Sequence, residues 1–170
     1  MRSMLATALF AFTRPAAAQV TVIQADRVLA EPGKAPRGAT SIVVENGKVT
    51  ALLPGRQSGP AGSKVIALGA ACEQPGLIDS HVHLASDTGG QLGFIENMTQ
   101  SPGQAALRAQ WNGMKTLRAG FTTVRNLGDG TGATLALRDA VEAGWVMGPR
   151  IVDAGRSISV TAGHMDRTLS

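Results

Sequence analysis

The run Pro75-Gly76-Leu77-Ile78-Asp79-Ser80-His81-Val82-His83-Leu84 opens on a Pro-Gly turn and carries two histidines one residue apart in an apolar setting. If it is a β-strand, alternation sends Asp79, His81 and His83 to one face and Ile78, Ser80 and Val82 to the other. Two imidazoles side by side on a strand face can ligate one divalent metal, each through a neutral ring nitrogen. A bare His-x-His also arises by chance, and two hydrogen-bonded histidines at a strand end give the same pattern. The surroundings must decide between them.

Downstream, residues 85–100 show no clear period and are interrupted by Gly89, Gly90 and Gly93, so a loop is expected there. Ser101-Pro102 is a helix start, an N-cap followed by proline at the first helical position. Ala105, Leu107, Trp111, Met114 and Leu117 then form an apolar face, with Trp111 and Met114 expected as core packing, and Ala119-Gly120 ends the helix. Phe121 to Leu127 reads as a strand, Gly128 to Gly132 as a turn, Leu135 to Ala143 as a helix, and Pro149 to Gly155 as a third strand. Strand–helix–strand–helix–strand with short links implies parallel strands.

Upstream, the chain is rich in short strands and turns. Val20 to Ile23, Ser41 to Glu45, Lys48 to Leu53 and Lys64 to Leu68 are β-rich runs. Asn46-Gly47 between two of them is a hairpin signal. The expectation is a small β-sandwich.

The Pro75–Leu84 run resembles the first barrel strand of the amidohydrolase superfamily. Gly-Phe-Thr-Thr-Val-Arg-Asn-Leu-Gly (120–128) resembles its imidazolonepropionase-like and Xaa-Pro dipeptidase branch. So does Gly-Pro-Arg-Ile-Val-Asp-Ala-Gly-Arg (148–156), continuing through Ala162-Gly163-His164-Met165-Asp166. The resemblance covers nearly the whole chain after its first twenty residues. It departs at Asn126, where related sequences usually carry Asp, and at Met165, where they carry a small residue.

The resemblance implies an α/β fold: the N-terminal part of a (β/α)8 TIM barrel, about three of eight strands, preceded by part of a small β-sandwich domain. The implied organisation is a signal peptide over 1–18, the sandwich part over 19–72 and the first βα units over 73–170. The implied activity is metal-dependent hydrolysis of a C–N bond, as in a prolidase-like dipeptidase or an N-acyl amino acid hydrolase. The implied cofactor is one or two divalent ions, often zinc. His81 and His83 match the family's metal pair. Asp79 would lie beside them as a supporting carboxylate, and His164 would either contact substrate or cap its loop. The family also uses a bridging lysine, two further histidines and a proton-shuttling aspartate. The lysines here are Lys34, Lys48, Lys64 and Lys115, and the only other histidine is His164. The 73–170 stretch is also far shorter than the about 250 residues of a full barrel. The expectation is therefore a fragment, inactive alone.

A rival reading uses the same segment. Gly128-Asp129-Gly130-Thr131-Gly132-Ala133 fits Gly-x-Gly-x-x-Ala between a strand and a helix, with Asp153 twenty residues beyond Ala133. That is the layout of a dinucleotide site, with pyrophosphate on the helix N-terminus and an acid on the ribose. It leaves the His-x-His strand and the β-rich opening unexplained. A serine hydrolase is disfavoured, because no Gly-x-Ser-x-Gly elbow occurs.

Composition sets the broad class. The 170 residues are 44% hydrophobic and 16% charged, which is globular, and aromatics are only 4%, so Val, Leu, Ile and Ala must fill the core. Arg2, the apolar Leu5–Phe12 run and Ala16-Ala17-Ala18 before Gln19 read as a secretory leader, too short to span a bilayer. A secreted or periplasmic location follows. A net charge of +4, with no basic run, gives no footprint for nucleic acid. Cys72 is the only cysteine, which excludes an intrachain disulfide. The expected partner is a small amide or dipeptide, without a membrane, and the edges of a parallel sheet favour self-association into a homo-oligomer.

Overall fold

The computed structural model describes residues 20–161 and 163. The leader expected over 1–18 and His164 lie outside the described residues. The chain forms two compact units, which divide after Pro75.

The first unit is built from β1 (Val20–Ala25), β2 (Arg27–Val28), β3 (Thr40–Glu45), β4 (Lys48–Pro54), β5 (Lys64–Ala67) and β6 (Cys72–Glu73). Its main sheet has the order β4-β3-β1-β5, with β5 parallel to β1, and β2 pairs with β6. β3 and β4 are an antiparallel hairpin closed by Asn46-Gly47, with Glu45 opposite Lys48. Both turn residues have positive φ, 51° and 74°. That is the left-handed pair a two-residue turn needs to match strand twist, and Asn-Gly adopts it at little cost. Val22, Ala25, Val28 and Val43 are the buried apolar residues. Buried Ser41 donates its hydroxyl to the Gly55 carbonyl and accepts the Gln57 N–H, each at 2.8 Å. Glu73, expected to open the histidine-bearing strand, belongs to β6 instead. Pro75 has no N–H to continue a ladder, so that strand starts afresh beyond it.

The second unit holds β7 (Leu77–Val82), α1 (Gly90–Thr99), α2 (Pro102–Arg118), β8 (Phe121–Asn126), α3 (Ala133–Glu142) and β9 (Arg150–Asp153). β7, β8 and β9 are parallel and adjacent in that order, as the alternation of strands and helices required. Gly76 lets β7 start hard against β8, since a Cβ there would sit 2.1 Å from Thr122 Oγ1. Leu84, Ala85, Ala105, Ala109, Val124, Ala133, Leu137 and Ile151 form the core between sheet and helices. Each large member withdrawn from water, such as Val124, contributes about 1.5–3 kcal/mol.

Two expectations about the helices are corrected. Residues 90–99, expected as loop, form α1. Its N-cap is Gly89, without a side-chain hydrogen bond, and its sequence carries little amphipathic pattern to announce it. α2 begins where Ser101 predicts, with a full capping box: the Ser101 hydroxyl accepts from Gln104 N, and the Gln104 side chain accepts from Ser101 N. Its buried face, however, is Ala105, Ala109, Asn112 and Gly113. Trp111 is 62% exposed and Leu107 74% exposed, so Trp111 is not core packing. The helix packs close to β8 and α3, and small residues permit that approach.

Candidate metal centre

β7 carries the histidines to its C-terminal end. Val82 and Leu84 turn toward the helices and join the core, which leaves His81 and His83 on the opposite side of the strand, both exposed. The ladder is irregular here. Asp79 pairs with Val124 and Val82 with Asn126, so β7 advances three residues while β8 advances two. That is the count of a β-bulge, a device that re-aims side chains. Asp79 holds the bulge: its Oδ1 accepts the His81 backbone N–H at 3.0 Å. The carboxylate expected beside the rings thus grips the chain beneath one of them.

The His81 and His83 rings meet edge to face, with centroids 5.5 Å apart. In a tetrahedral zinc site the ring centres of two ligating imidazoles lie about 3.2 Å from the ion and hence about 5.2 Å from each other. The observed spacing therefore suits two ligands of one ion. The His83 Nδ1 lies 3.5 Å from the Gly128 carbonyl oxygen. A ring protonated at Nδ1 would direct that proton to Gly128 and keep the Nε2 lone pair for a ligand, which is how metal-binding histidines are commonly oriented. Gly128 has φ 102°, and a Cβ on it would meet the Gly155 carbonyl oxygen at 2.5 Å. Only glycine fits this crossing of the loops after β8 and β9.

Two rings are half of a site. A catalytic zinc takes three protein ligands and a water. Among the described residues, no group of three or more His, Cys, Asp or Glu side chains is gathered as a metal site.

Two asparagines lie beside this pair; Asn126 stands out in the sequence only as a departure from related ones, and Asn112 not at all. Asn126, at the end of β8, is fully buried. Its Oδ1 accepts the Leu84 N–H at 2.9 Å, and its Nδ2 donates to Thr134 Oγ1 and Asp153 Oδ2, each at 3.0 Å. Asn112, buried on α2, donates Nδ2 to the Leu84 carbonyl at 3.0 Å. Their signal was polarity at core-facing positions, a feature that periodicity treats as noise.

The dinucleotide alternative through Gly128, Gly130, Ala133 and Asp153 is overturned by the same region. Asp129 occupies the N-terminus of α3, where its carboxylate accepts the N–H groups of Thr131, Ala133 and Thr134 and both threonine hydroxyls. Burial alone would raise its pKa. The Thr131 and Thr134 hydroxyls, then their backbone N–H groups, outweigh that and hold it at about 2. A fixed anion already sits where a pyrophosphate would have to bind. Asp153 is likewise engaged, accepting from Asn126 through Oδ2 and from the Gly155 N–H through Oδ1 at 2.7 Å, and is not presented to a ribose.

Comparison with known proteins agrees with the histidine-bearing strand. Residues 74–169 match the model of the Amidohydrolase family. Ochratoxinase of Aspergillus niger is 30% identical over 92 residues, 54% of this chain and 18% of that protein. A Xaa-Pro dipeptidase crystallised with methionine in its active site superposes with a TM-score of 0.75 at 29% identity, over 89% of this chain and 37% of that one. A prolidase complexed with N-methylphosphonate-L-proline gives 0.74 at 31%, over 86% of this chain and 34% of that one. The chain thus spans well under half the length of these relatives. With the family match running through β7, α1, α2, β8, α3 and β9, the chain belongs to the amidohydrolase family.

Proposed function

We propose that this chain contributes the opening βα units of a metal-dependent hydrolase that cleaves an amide C–N bond in a small substrate, an Xaa-Pro dipeptide or an N-acyl amino acid. The observation that carries this is the His81–His83 pair at 5.5 Å on a strand of the amidohydrolase family. The similarity to a Xaa-Pro dipeptidase, a prolidase and ochratoxinase supports the substrate class. His81 and His83 would hold a divalent ion, for which zinc suits an imidazole pair. When bound, such an ion supplies the Lewis acidity that activates water and polarises a carbonyl. Asp79 fixes the backbone under His81, and the Gly128 carbonyl orients His83. His164 is proposed as a substrate contact, residues 1–18 as an export leader to a secreted or periplasmic location, and residues 19–72 and 73–170 as the two domain parts.

With two ligands gathered, the 170-residue chain should not turn over substrate alone. The test compares it with the same chain fused to the remainder of a Xaa-Pro dipeptidase barrel, on Xaa-Pro dipeptides and N-acyl amino acids, with a chelator control. Hydrolysis should belong to the fused protein only, and should vanish with chelator and in His81→Ala or His83→Ala. Activity indifferent to both histidines would refute the assignment.

A further inference from the structure

We propose that Asn126 and Asn112 are positioning residues for the histidine pair: they clamp the peptide groups of Leu84 and so fix the His83 ring at metal-binding distance from His81. This rests on the metal reading above and adds the device that makes the pair ready for an ion before the ion arrives.

Hydrogen bonds from several elements converge just after the second histidine. β7 ends at Val82, and beyond it the backbone has no ladder to satisfy it. The Val82 carbonyl accepts the Leu127 N–H at 3.0 Å, and the His83 carbonyl accepts the Ser86 N–H at 3.2 Å. Leu84 is then held at both polar groups, its N–H by Asn126 from β8 and its carbonyl by Asn112 from α2. His83 is therefore flanked on each side by fixed peptides. Leu84 itself is 2% exposed, and its side chain anchors in the core while the imidazole before it faces the other way. A rotation of this peptide would move the His83 ring directly.

Burying two amides is costly unless they are bonded. Each places a bond on Leu84, the residue that follows the second histidine. Asn126 is itself held from behind, its two N–H groups directed to Thr134 and Asp153. The clamp thus draws on β8, α2, α3 and β9 to set the two peptides on either side of the Leu84 Cα.

The test uses cobalt(II) alone as the probe, titrated into the whole 170-residue chain and followed by visible absorption, with far-UV circular dichroism to confirm folding. Asn126→Leu and Asn112→Leu should each weaken cobalt binding about tenfold or more, the usual effect of losing a residue that orients a ligand. The exchange pair Asn126→Asp with Asp153→Asn keeps an acceptor for the Leu84 N–H and a donor–acceptor contact to position 153 while losing the donor to Thr134, and should bind cobalt more tightly than Asn126→Leu. In the unaltered, metal-free chain, a nuclear Overhauser effect between the two imidazole rings should already be present. Folded leucine variants that bind cobalt as wild type does, or a metal-free chain without the ring–ring effect, would overturn the proposal. That second observation holds even if a leucine variant fails to fold. If His81→Ala and His83→Ala leave cobalt binding intact, the metal reading fails. If they abolish it while the leucine variants do not, only the positioning role fails.

Discussion

The side-chain amide of Asn126 donates to the carboxylate of Asp153 across 3.0 Å, joining the end of β8 to the end of β9. Asn126→Asp removes that donor and sets a second carboxylate against the first, a like-charge contact in a buried setting. At neutral pH the loss of stability should be about 1–3 kcal/mol, and adding Asp153→Asn should recover most of it. Urea unfolding of wild type, single and double variants reads the difference. A single variant as stable as wild type would show that the two positions are not coupled.

Asp129 carries a pH dependence of its own. Its folded pKa, about 2, lies below the ordinary carboxyl value of 3.8. The stability it contributes is present above the unfolded pKa and is lost as pH falls from about 4 toward about 2. The carboxylate is partly open to solvent, so screening reduces the full linkage value to roughly 1 kcal/mol. Asp129→Ala, which also strips the cap from α3, should cost about 1–2 kcal/mol at neutral pH and less in acid. Thermal unfolding of wild type and variant between these limits is the check. A cost that does not shrink below about pH 3 would contradict the assignment.

Helix α2 separates what the sequence made legible from what it did not. Its start was readable because Ser101, Pro102 and Gln104 act locally, through a cap that any isolated segment could form. The parallel order of β7, β8 and β9 was readable from the alternation of elements. The buried face of α2 was not, because hydrophobicity marked Leu107 and Trp111, whereas close packing selected Ala105, Ala109 and Gly113 for their size. The same blindness hid Asn112 and the structural role of Asn126, whose partners are reached from elsewhere in the chain. Helix α1 was missed because glycines at 89, 90 and 93 and the lack of a side-chain cap leave no local signature. His81 and His83 were legible, since alternation and a spacing of two suffice.

The exposed and buried faces of α2 should respond differently to substitution. Trp111→Gln should change stability by less than about 0.5 kcal/mol, as exposed positions do. Ala109→Leu, at a position with no exposed surface, should cost about 1–3 kcal/mol by overpacking. Chemical denaturation of the two variants decides it, and the reverse ranking would restore Trp111 to the core.

The central claim is that His81 and His83 bind the same ion. X-ray absorption of the zinc-loaded chain tests it most directly, because imidazole ligands are counted by their first-shell nitrogens and outer-ring scattering. The wild-type chain should show two imidazoles at about 2.0–2.1 Å, falling to one in either His81→Ala or His83→Ala and to none in the double variant. An imidazole count left unchanged in either single variant, or no imidazole in the wild type, would contradict the claim.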